Sequence, residues 1–431
     1  MGGSSGLVDW RGRPVNTKKH GGVRASFFIH ALVLLSNAAN IANILNLVSY
    51  LRNDMHMDVA RASTMASNFF AALQMFSIPA AFLADSYIKR FYTVLIFGPI
   101  EILVLVASFK KRKVKLPENL IELKQIHQDE GSGVEILRRT EGLHFLDKAA
   151  VDTGKAGAWS LCSISEVEET KIILRMVPIF LSAVLGYIPV PLILNFTVQQ
   201  GNTMETRLGA IHIAPATLFV IPTVFQMVIL VIYDRFIVPF LRRITGYVGG
   251  VTQLQRIGIG FLSATIATGI AALVEIKRRK VAEEHGLMDA TTGIPISVFW
   301  LTVQFFLLGI VDVTSFVGLL EFFYSEASTG MKSMGSSIFY CILGVSAWLG
   351  SFLIQLANRV TRHSDGTGGW LDGTNLNRGK LDRFYGLLAV LELVSLFIYI
   401  FFARSYVYRN DQKVVVEGDN NNSSDDAINT I

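Results

Sequence analysis

The chain has 431 residues, of which 51% are hydrophobic and 17% are charged, and its mean hydropathy is +0.44. Such a composition excludes an ordinary soluble domain and indicates a polytopic membrane protein. The formal charge of +5 does not indicate nucleic-acid binding, because the basic residues form short clusters between apolar stretches, as they do in cytoplasmic loops.

The apolar stretches predict nine membrane helices, since roughly 20 mostly apolar residues cross a bilayer core about 30 Å thick. Three are predicted at 27–51, 61–87 and 91–109, and six at 173–200, 211–238, 255–277, 295–323, 333–360 and 382–406. The predicted segments are a cytoplasmic N-terminal segment (1–26), an N-terminal helical bundle (27–109), a hydrophilic linker (110–172), a six-helix C-terminal bundle (173–407) and a disordered acidic tail (408–431).

The first predicted helix is unusually rich in polar side chains. Ser36, Asn40 and Asn43 fall on one helical face, because successive residues are rotated by about 100°. Such a face could line a translocation cavity and bind a solute without titrating. It could equally join helices through interhelical hydrogen bonds, each worth about 0.6 to 2 kcal/mol. The sequence leaves both interpretations open.

Two further polar residues lie inside predicted C-terminal helices. Asp312 occurs in the apolar run LLGIVDVTSFVGLLEFF. A carboxyl group in this setting is costly, so it is a candidate proton-binding site, although pairing with a neighbouring helix is the alternative. Asn195 follows Pro189 and Pro191, which free backbone carbonyls, and it is a candidate for the wall of a cavity.

Several segments together resemble the plant nitrate/peptide transporter family, the proton-coupled oligopeptide transporters of the major facilitator superfamily. They are FLADSYIKRFYTV (82–94), WSLCSISEVEETKIILRMVPI (159–179), YDRFIVPFLRRITGY (233–247), LQRIGIG (254–260), FFYSEASTGMKSMGSSI (322–338) and LNRGKLDRFYGLLA (376–389). The resemblance implies two six-helix bundles that admit a solute alternately from either side, driven by protons. It also implies that Asp312 matches the acidic residue of the family's tenth span.

The resemblance is incomplete in the N-terminal half. Family members carry Glu-x-x-Glu-Arg in the first span for proton coupling, and Val33, Ser36 and Asn37 occupy those positions here. The segment FLADSYIKR resembles the loop after the second span, so Asp85, Lys89 and Arg90 are expected in a gating loop. The segment DRFIVPFLRR is expected to be a cytoplasmic loop.

Sequence resembling the family's third span is followed directly, near residues 101–110, by sequence resembling the end of its sixth. Spans four and five, with parts of three and six, are therefore expected to be absent. The predicted fold class is an all-α polytopic membrane protein, major facilitator-like, with an incomplete N-terminal bundle of about three spans and a six-helix C-terminal bundle.

The sequence therefore predicts a transmembrane transporter of a small organic or anionic solute by alternating access, with protons as a candidate driving ion. The alternative is a truncated, non-transporting isoform or fragment, which could pair with an intact relative. We expect the lipid bilayer, the solute and protons as partners, with no nucleic acid, cofactor or metal and no enzymatic activity. The plasma membrane is the expected location and the vacuolar membrane the alternative, and the solute remains open.

Overall fold

A computed structural model of the chain describes residues 47–52, 54–76, 143–150, 164–208, 211–212, 220–247, 249–290, 293–327, 332–362 and 368–408. Within these residues, six helices are long and apolar enough to cross a membrane: Val167–Thr203, Val224–Thr245, Gln253–Glu284, Val298–Glu326, Gly335–Thr361 and Leu381–Ser405. They correspond to the six predicted C-terminal spans. The mostly helical, multi-pass membrane fold is thereby confirmed.

The described helices with defined bounds are α1 (Val59–Met75), α2 (His144–Asp147), α3 (Ile164–Gly186), α4 (Pro189–Thr203), α5 (Val220–Ile232), α6 (Val238–Thr245), α7 (Gln253–Glu284), α8 (Thr302–Val311), α9 (Val317–Glu326), α10 (Lys332–Thr361) and α11 (Leu381–Ser405). Two π-helical turns, Tyr233–Ile237 and Asp312–Phe316, join α5 to α6 and α8 to α9. Short 3₁₀ turns follow α2 (Lys148–Ala150) and precede α8 (Val298–Leu301).

The described part of the chain includes four short strands near the ends of the membrane helices. They are β1 (Met204–Glu205), β2 (Arg207–Leu208), β3 (Ile211–His212) and β4 (Ile294–Ser297). β1 pairs with β4 in parallel, and β2 pairs with β3 as an antiparallel hairpin. The pairing of β1 with β4 connects the end of α4 to the segment that leads into α8.

The helix ends carry recognisable sequence signals. Thr252 and Gln255 form a reciprocal capping box at the start of α7, in which each side chain accepts from the other residue's backbone N–H. α6 ends at Gly246, whose φ of 73° places it in the left-handed region that glycine adopts without steric cost. The segment DRFIVPFLRR, predicted as a cytoplasmic loop, is helical along its whole length. That prediction was wrong because charge density marks the membrane boundary and does not by itself end a helix.

The predicted span at 211–238 differs in its bounds. Ile211 and His212 belong to the β2–β3 hairpin, and the described helix begins at Val220 and runs through α6 to Thr245. Pro222 lies in the first turn of α5, where a missing N–H is tolerated because that donor has no intrahelical partner. Hydropathy alone does not separate the apolar residues of the hairpin from those of the helix.

α1, from the predicted N-terminal bundle, packs along α10 and also contacts α4. Val59 and Ala60 of α1 share an apolar cluster with Leu192 of α4 and Ile354 of α10. A second apolar cluster lies among α3, α7, α9, α10 and α11 and includes Phe261. The core of the C-terminal bundle is thus continuous with part of the N-terminal half. The rest of the predicted spans 27–51 and 61–87, and all of 91–109, lie outside the described residues.

α7 and the π turn at 312–316 approach each other closely at Gly260. A Cβ added to Gly260 would lie 1.9 Å from Ser315 Oγ and 2.6 Å from Thr314 Oγ1. Rotation of the Ser315 side chain away from this position would break the hydrogen bond that its hydroxyl donates to the carbonyl of Ile257 at 3.0 Å. Gly269, on the same helix, has nothing within 4 Å of the corresponding position.

We therefore expect Gly260→Ala to destabilise the bundle by about 1 to 3 kcal/mol, as overpacking does. Gly269→Ala should be neutral or slightly stabilising, because alanine favours the helix by about 1 kcal/mol. Thermal unfolding midpoints of the two purified variants, measured against the unchanged chain, test this difference. Equal midpoints for the two variants would contradict the close approach.

Candidate functional site

Buried amides connect α4 to α1. Asn195 Nδ2 donates to Ser67 Oγ at 2.9 Å, and Gln199 Nε2 donates to Ser63 Oγ at 2.7 Å. All four side chains are buried. Asn195, predicted for a cavity wall, lies here in the contact between the N-terminal helix and the C-terminal bundle. Each hydrogen bond of this kind is modest, so the contact can be exchanged for another.

A second amide, Gln304 of α8, extends this polar layer into the bundle. Its Nε2 donates to Thr197 Oγ1 of α4 at 2.6 Å, and the side chain is fully buried. Gln304 Oε1 and Gln199 Oε1 are buried without a hydrogen-bond partner among the described residues. Buried polar atoms are nearly always paired in stable structures, so these two oxygens are available to a solute or water.

The end of the bundle where α4 and α7 finish is closed by a fully satisfied ionic cluster. Arg278 and Glu275 are both completely buried and form a bidentate pair, with N–O distances of 2.7 and 2.6 Å. The remaining donors and acceptors of this pair are met by Thr203, Asn377 and Gln200, and Tyr385 donates to Gln200 Oε1 at 3.2 Å. A buried ion pair with all its hydrogen bonds made has a structural role.

Arg52, from the predicted N-terminal bundle, contacts the same end. Its guanidinium donates to the carbonyls of Gln199 at 3.4 Å and Thr374 at 3.2 Å. Burial, with a smaller contribution from the charge of Arg278, lowers the pKa of Arg52 to about 10. Arg52 therefore remains charged at neutral pH and adds a positive charge beside the ionic cluster.

The opposite end of α7 is held by a different ion pair. Arg256 Nη1 lies 3.1 Å from Glu321 Oε2, and its Nη2 donates to the carbonyl of Val313 at 2.7 Å. The guanidinium also lies over the ring of Tyr233, 4.7 Å from its centre. Arg256 thereby ties both π turns to α7. The partner of Glu321 is therefore a cation of a neighbouring helix.

Asp312 lies between these two ends, at the first position of the second π turn. Its carboxyl has no hydrogen bond or ion pair with any residue that the structure describes, in contrast to Glu275 and Glu321. π turns inside α-helices occur frequently at functional sites, because the extra residue redirects the side chains that follow it. The alternative interpretation, pairing with a neighbouring helix, has no support within the described residues.

Tyr187 lies within electrostatic range of Asp312 and stands at a break between α3 and α4. Pro189 and Pro191 lack backbone N–H groups, so the carbonyl of Tyr187 has no donor four residues further along the helix. The Tyr187 side chain is 3% exposed, and its hydroxyl has no partner among the described residues.

Glu392 is a candidate residue that the sequence reasoning missed. It lies in the middle of α11 and is fully buried, and neither carboxyl oxygen has a hydrogen-bond partner among the described residues. Tyr187 lies within electrostatic range of Glu392 as well as Asp312. The available signal was the same as for Asp312: a single acid inside the apolar run YGLLAVLELVSLFIYIFF.

No cluster of three His, Cys, Asp or Glu side chains suited to a metal occurs in the described part of the chain. The described site thus consists of amides, hydroxyls and two isolated carboxyls inside a membrane bundle.

A family model described as "POT family" matches residues 93–371, which is more than half of the chain. The chain belongs to the POT family.

POT family relatives of this chain occur in Arabidopsis thaliana. The chain is 27% identical over 575 residues to Protein NRT1/ PTR FAMILY 4.3, an alignment that covers 96% of this chain and 95% of the relative. It is 37% identical over 316 residues to Protein NRT1/ PTR FAMILY 8.2, covering 71% of this chain and 55% of the relative. The family is one of multi-pass membrane transporters, and the chain is not an enzyme.

Solved POT transporters are also similar to this chain. One is titled "Crystal structure of auto inhibited POT family peptide transporter", with a TM-score of 0.45, 20% identity and coverage of 57% of this chain and 44% of that one. Another, the POT family transporter PepTSo, has a TM-score of 0.44 and 15% identity, and the match covers 85% of this chain and 58% of that one. The chain therefore spans about half of the length of these solved transporters.

The remaining predicted site residues of this POT family chain lie outside the described residues. They are Ser36, Asn40, Asn43, Asp85, Lys89 and Arg90. Of the predicted pathway residues, the structure describes Asn195 and Asp312. Asn195 contacts α1, whereas Asp312 is the first residue of the second π turn.

The ionic cluster yields a stability prediction. Arg278→Met should destabilise the bundle by about 3 to 5 kcal/mol, because Glu275 is left buried and unpaired. The double variant Glu275→Gln/Arg278→Met should recover most of that loss, since both charges are removed. Arg362→Met, at an exposed pair with Asp372, serves as the control and should change stability little. Thermal unfolding of the three variants measures the effect, and equal losses in the single and double variants would count against the pairing.

Proposed function

We propose that this chain is a transmembrane transporter of a small organic or anionic solute that works by alternating access and couples solute movement to protons through Asp312. Ser36, Asn40, Asn43 and Asn195 are proposed to line the pathway in the conformation that opens it. Asp85, Lys89 and Arg90 are proposed to form a gating loop. The plasma membrane is the proposed location, and the vacuolar membrane is the alternative.

The observation that carries the proposal is the environment of Asp312. An ionised carboxylate without a partner is disfavoured inside a membrane bundle, so the protonation of Asp312 is expected to change when a conformational change admits water or a cation. The bound proton would therefore be released in one conformation and taken up in another. Coupling of this kind requires a titratable group whose surroundings change during the cycle, and a permanently paired acid such as Glu275 cannot supply it.

The contact between α1 and α4 supports alternating access. Its two side-chain hydrogen bonds, from Asn195 to Ser67 and from Gln199 to Ser63, join the predicted N-terminal and C-terminal bundles. Interhelical hydrogen bonds in membranes average about 0.6 kcal/mol, so thermal motion or a bound solute can break them. Opening at this contact would expose the Asn195 and Gln199 amides to a solute.

The second candidate function is that of a shortened, non-transporting form that pairs with an intact relative. The alignment with Protein NRT1/ PTR FAMILY 4.3 extends over 575 residues, more than the 431 of this chain, so that relative has internal residues without a counterpart here. The membrane helix Val224–Thr245 is also almost entirely exposed within the described structure. Both observations favour the absence of helices that pack there in longer relatives.

These two functions are separated by measuring solute uptake in cells that express this chain alone and in cells that also express a full-length relative. Uptake by the chain alone supports the transporter. Uptake that is absent alone, together with recovery of the relative in affinity purification of this chain, supports the non-transporting form. Full-length transcript sequencing also shows whether a longer message, which encodes additional helices between Leu103 and Lys110, predominates.

Asp312→Asn is expected to abolish the dependence of uptake on an imposed pH gradient, because an amide cannot bind and release the proton. The matched control is Asp289→Asn, which alters an aspartate in an exposed pair with Arg378. Uptake into proteoliposomes at several external pH values measures the effect. Unchanged pH dependence in Asp312→Asn would remove Asp312 from the coupling mechanism.

A disulfide between α1 and α4 is expected to block transport. Ser67→Cys and Asn195→Cys, introduced together after Cys162 and Cys341 are changed to serine, place two thiols where a 2.9 Å hydrogen bond now joins the side chains. Oxidation should stop uptake and a reductant should restore it, whereas each single-cysteine variant should be insensitive. Full uptake by the cross-linked protein would show that this contact does not open during the cycle.

A further inference from the structure

α6 is anchored along one side by the turn that precedes α7. A Cβ added to Gly250, in this turn, would lie 3.0 Å from Leu241 Cβ and 3.2 Å from Val238 Cα. The Thr245 hydroxyl donates to the carbonyl of the same glycine. Val238, Leu241 and Thr245 recur three and four residues apart, so they share one face of the helix. The turn therefore fixes which sides of α6 remain open.

Another side of this segment is apolar and exposed. Phe236, Phe240 and Ile244, which form the apolar stripe, are spaced four residues apart and have exposed fractions of 69%, 64% and 67%. No residue of α6 itself is buried. A contiguous row of large apolar side chains is unfavourable in water, so the apolar stripe is suited to the acyl chains of a bilayer.

Three exposed arginines, Arg235, Arg242 and Arg243, flank the apolar stripe. The segment 233–245 also contains Asp234, so three arginines against one aspartate give it a net charge of +2. Large apolar side chains next to arginines are typical of a helix at the membrane interface. The apolar side of such a helix enters the acyl region, and its cations attract anionic headgroups.

The level of α6 along the bundle agrees with an interfacial position. The guanidinium of Arg256 pairs with the half-exposed Glu321 and lies over the ring of Tyr233, which begins the π turn between α5 and α6. α6 follows this charged layer and so lies at the end of the bundle. The positive-inside bias predicts that this end faces the cytoplasm, where the leaflet carries a negative surface potential.

A further membrane helix is less suited than lipid to this surface. Membrane helices pack closely where small residues line their contact, whereas the apolar stripe consists of two phenylalanines and an isoleucine. A covering helix would also desolvate the arginines and would need acids to pair with them. A lipid headgroup supplies a phosphate and leaves the guanidinium groups at the water boundary, which long cationic side chains can reach.

We propose that the exposed side of α6 binds an anionic phospholipid, with the three arginines on its headgroup and the apolar stripe among its acyl chains. Guanidinium groups suit this role, because their planar fork donates paired hydrogen bonds to phosphate oxygens. The bound lipid holds this end of the α5–α6 helix at the membrane surface. This lipid site forms whether or not the chain transports a solute.

Photo-crosslinking tests this site in the full chain. Phe240 is replaced by p-benzoylphenylalanine, and the protein is placed in nanodiscs of equal parts phosphatidylserine and phosphatidylcholine. Mass spectrometry of the adducts gives the ratio of the two lipids at α6. The ratio should favour phosphatidylserine by about fivefold or more, since about 1 kcal/mol for each arginine near an anionic surface corresponds to about fivefold. A ratio of one would overturn the proposal.

Matched controls assign the preference to α6. The same crosslinker in place of Val228, an exposed residue of α5, should give a ratio near one, because the three arginines follow α5. With the crosslinker at position 240, Arg235→Gln/Arg243→Gln should lower the ratio toward one. Arg362→Gln, at an exposed arginine after α10, should leave it unchanged. Equal ratios in these two backgrounds would overturn the assignment to the arginines of α6.

A second arm identifies the occupant in cell membranes that contain both this chain and a full-length relative. Irradiation of the chain with the crosslinker at position 240 should give lipid adducts as the main product. A protein adduct as the main product would overturn the lipid assignment and would show that another helix covers α6. This result is independent of solute uptake, so it leaves the proposed transport function to be judged by its own experiments.

Discussion

A polar side chain inside a membrane bundle is stabilised chiefly by another polar group of the protein, because the surrounding lipid offers no hydrogen bonds. This constraint explains where the described helices are held together. The Arg278–Glu275 cluster secures one end of α7, and the Arg256–Glu321 pair secures the other. Between these two ends, contacts depend on apolar packing and on close approaches such as the one at Gly260.

By the same constraint, each polar group that remains unpaired inside the bundle lowers its stability. Glu392 and the Tyr187 hydroxyl are buried without partners among the described residues, although the bundle satisfies every member of a larger ionic cluster. Unpaired polar groups reduce stability, so their presence in an otherwise well-packed core is better explained by function than by folding. The broken helix at Pro189 and the π turn at Asp312 bring backbone irregularity to the same region.

At α1, the described interface between the predicted halves is held by apolar packing and by neutral hydrogen bonds instead of ion pairs. α1 packs along α10 through apolar side chains and joins α4 through Ser63 and Ser67. Small hydroxyl residues allow close packing and offer weak, exchangeable hydrogen bonds. The exposed helix Val224–Thr245 lacks such an arrangement among the described residues.

The sequence by itself determined the membrane class, the six C-terminal spans and the family, because hydropathy and local motifs are properties of contiguous residues. It also singled out Asp312 as a lone acid in an apolar run. Only the tertiary structure decided that the charged segment 233–245 stays helical, that Asn195 bonds to Ser67, and that Glu392 is unpaired whereas Glu275 is not. Hydrogen-bond partners such as these come from distant parts of the chain, so no local pattern specifies whether a buried polar group has found one.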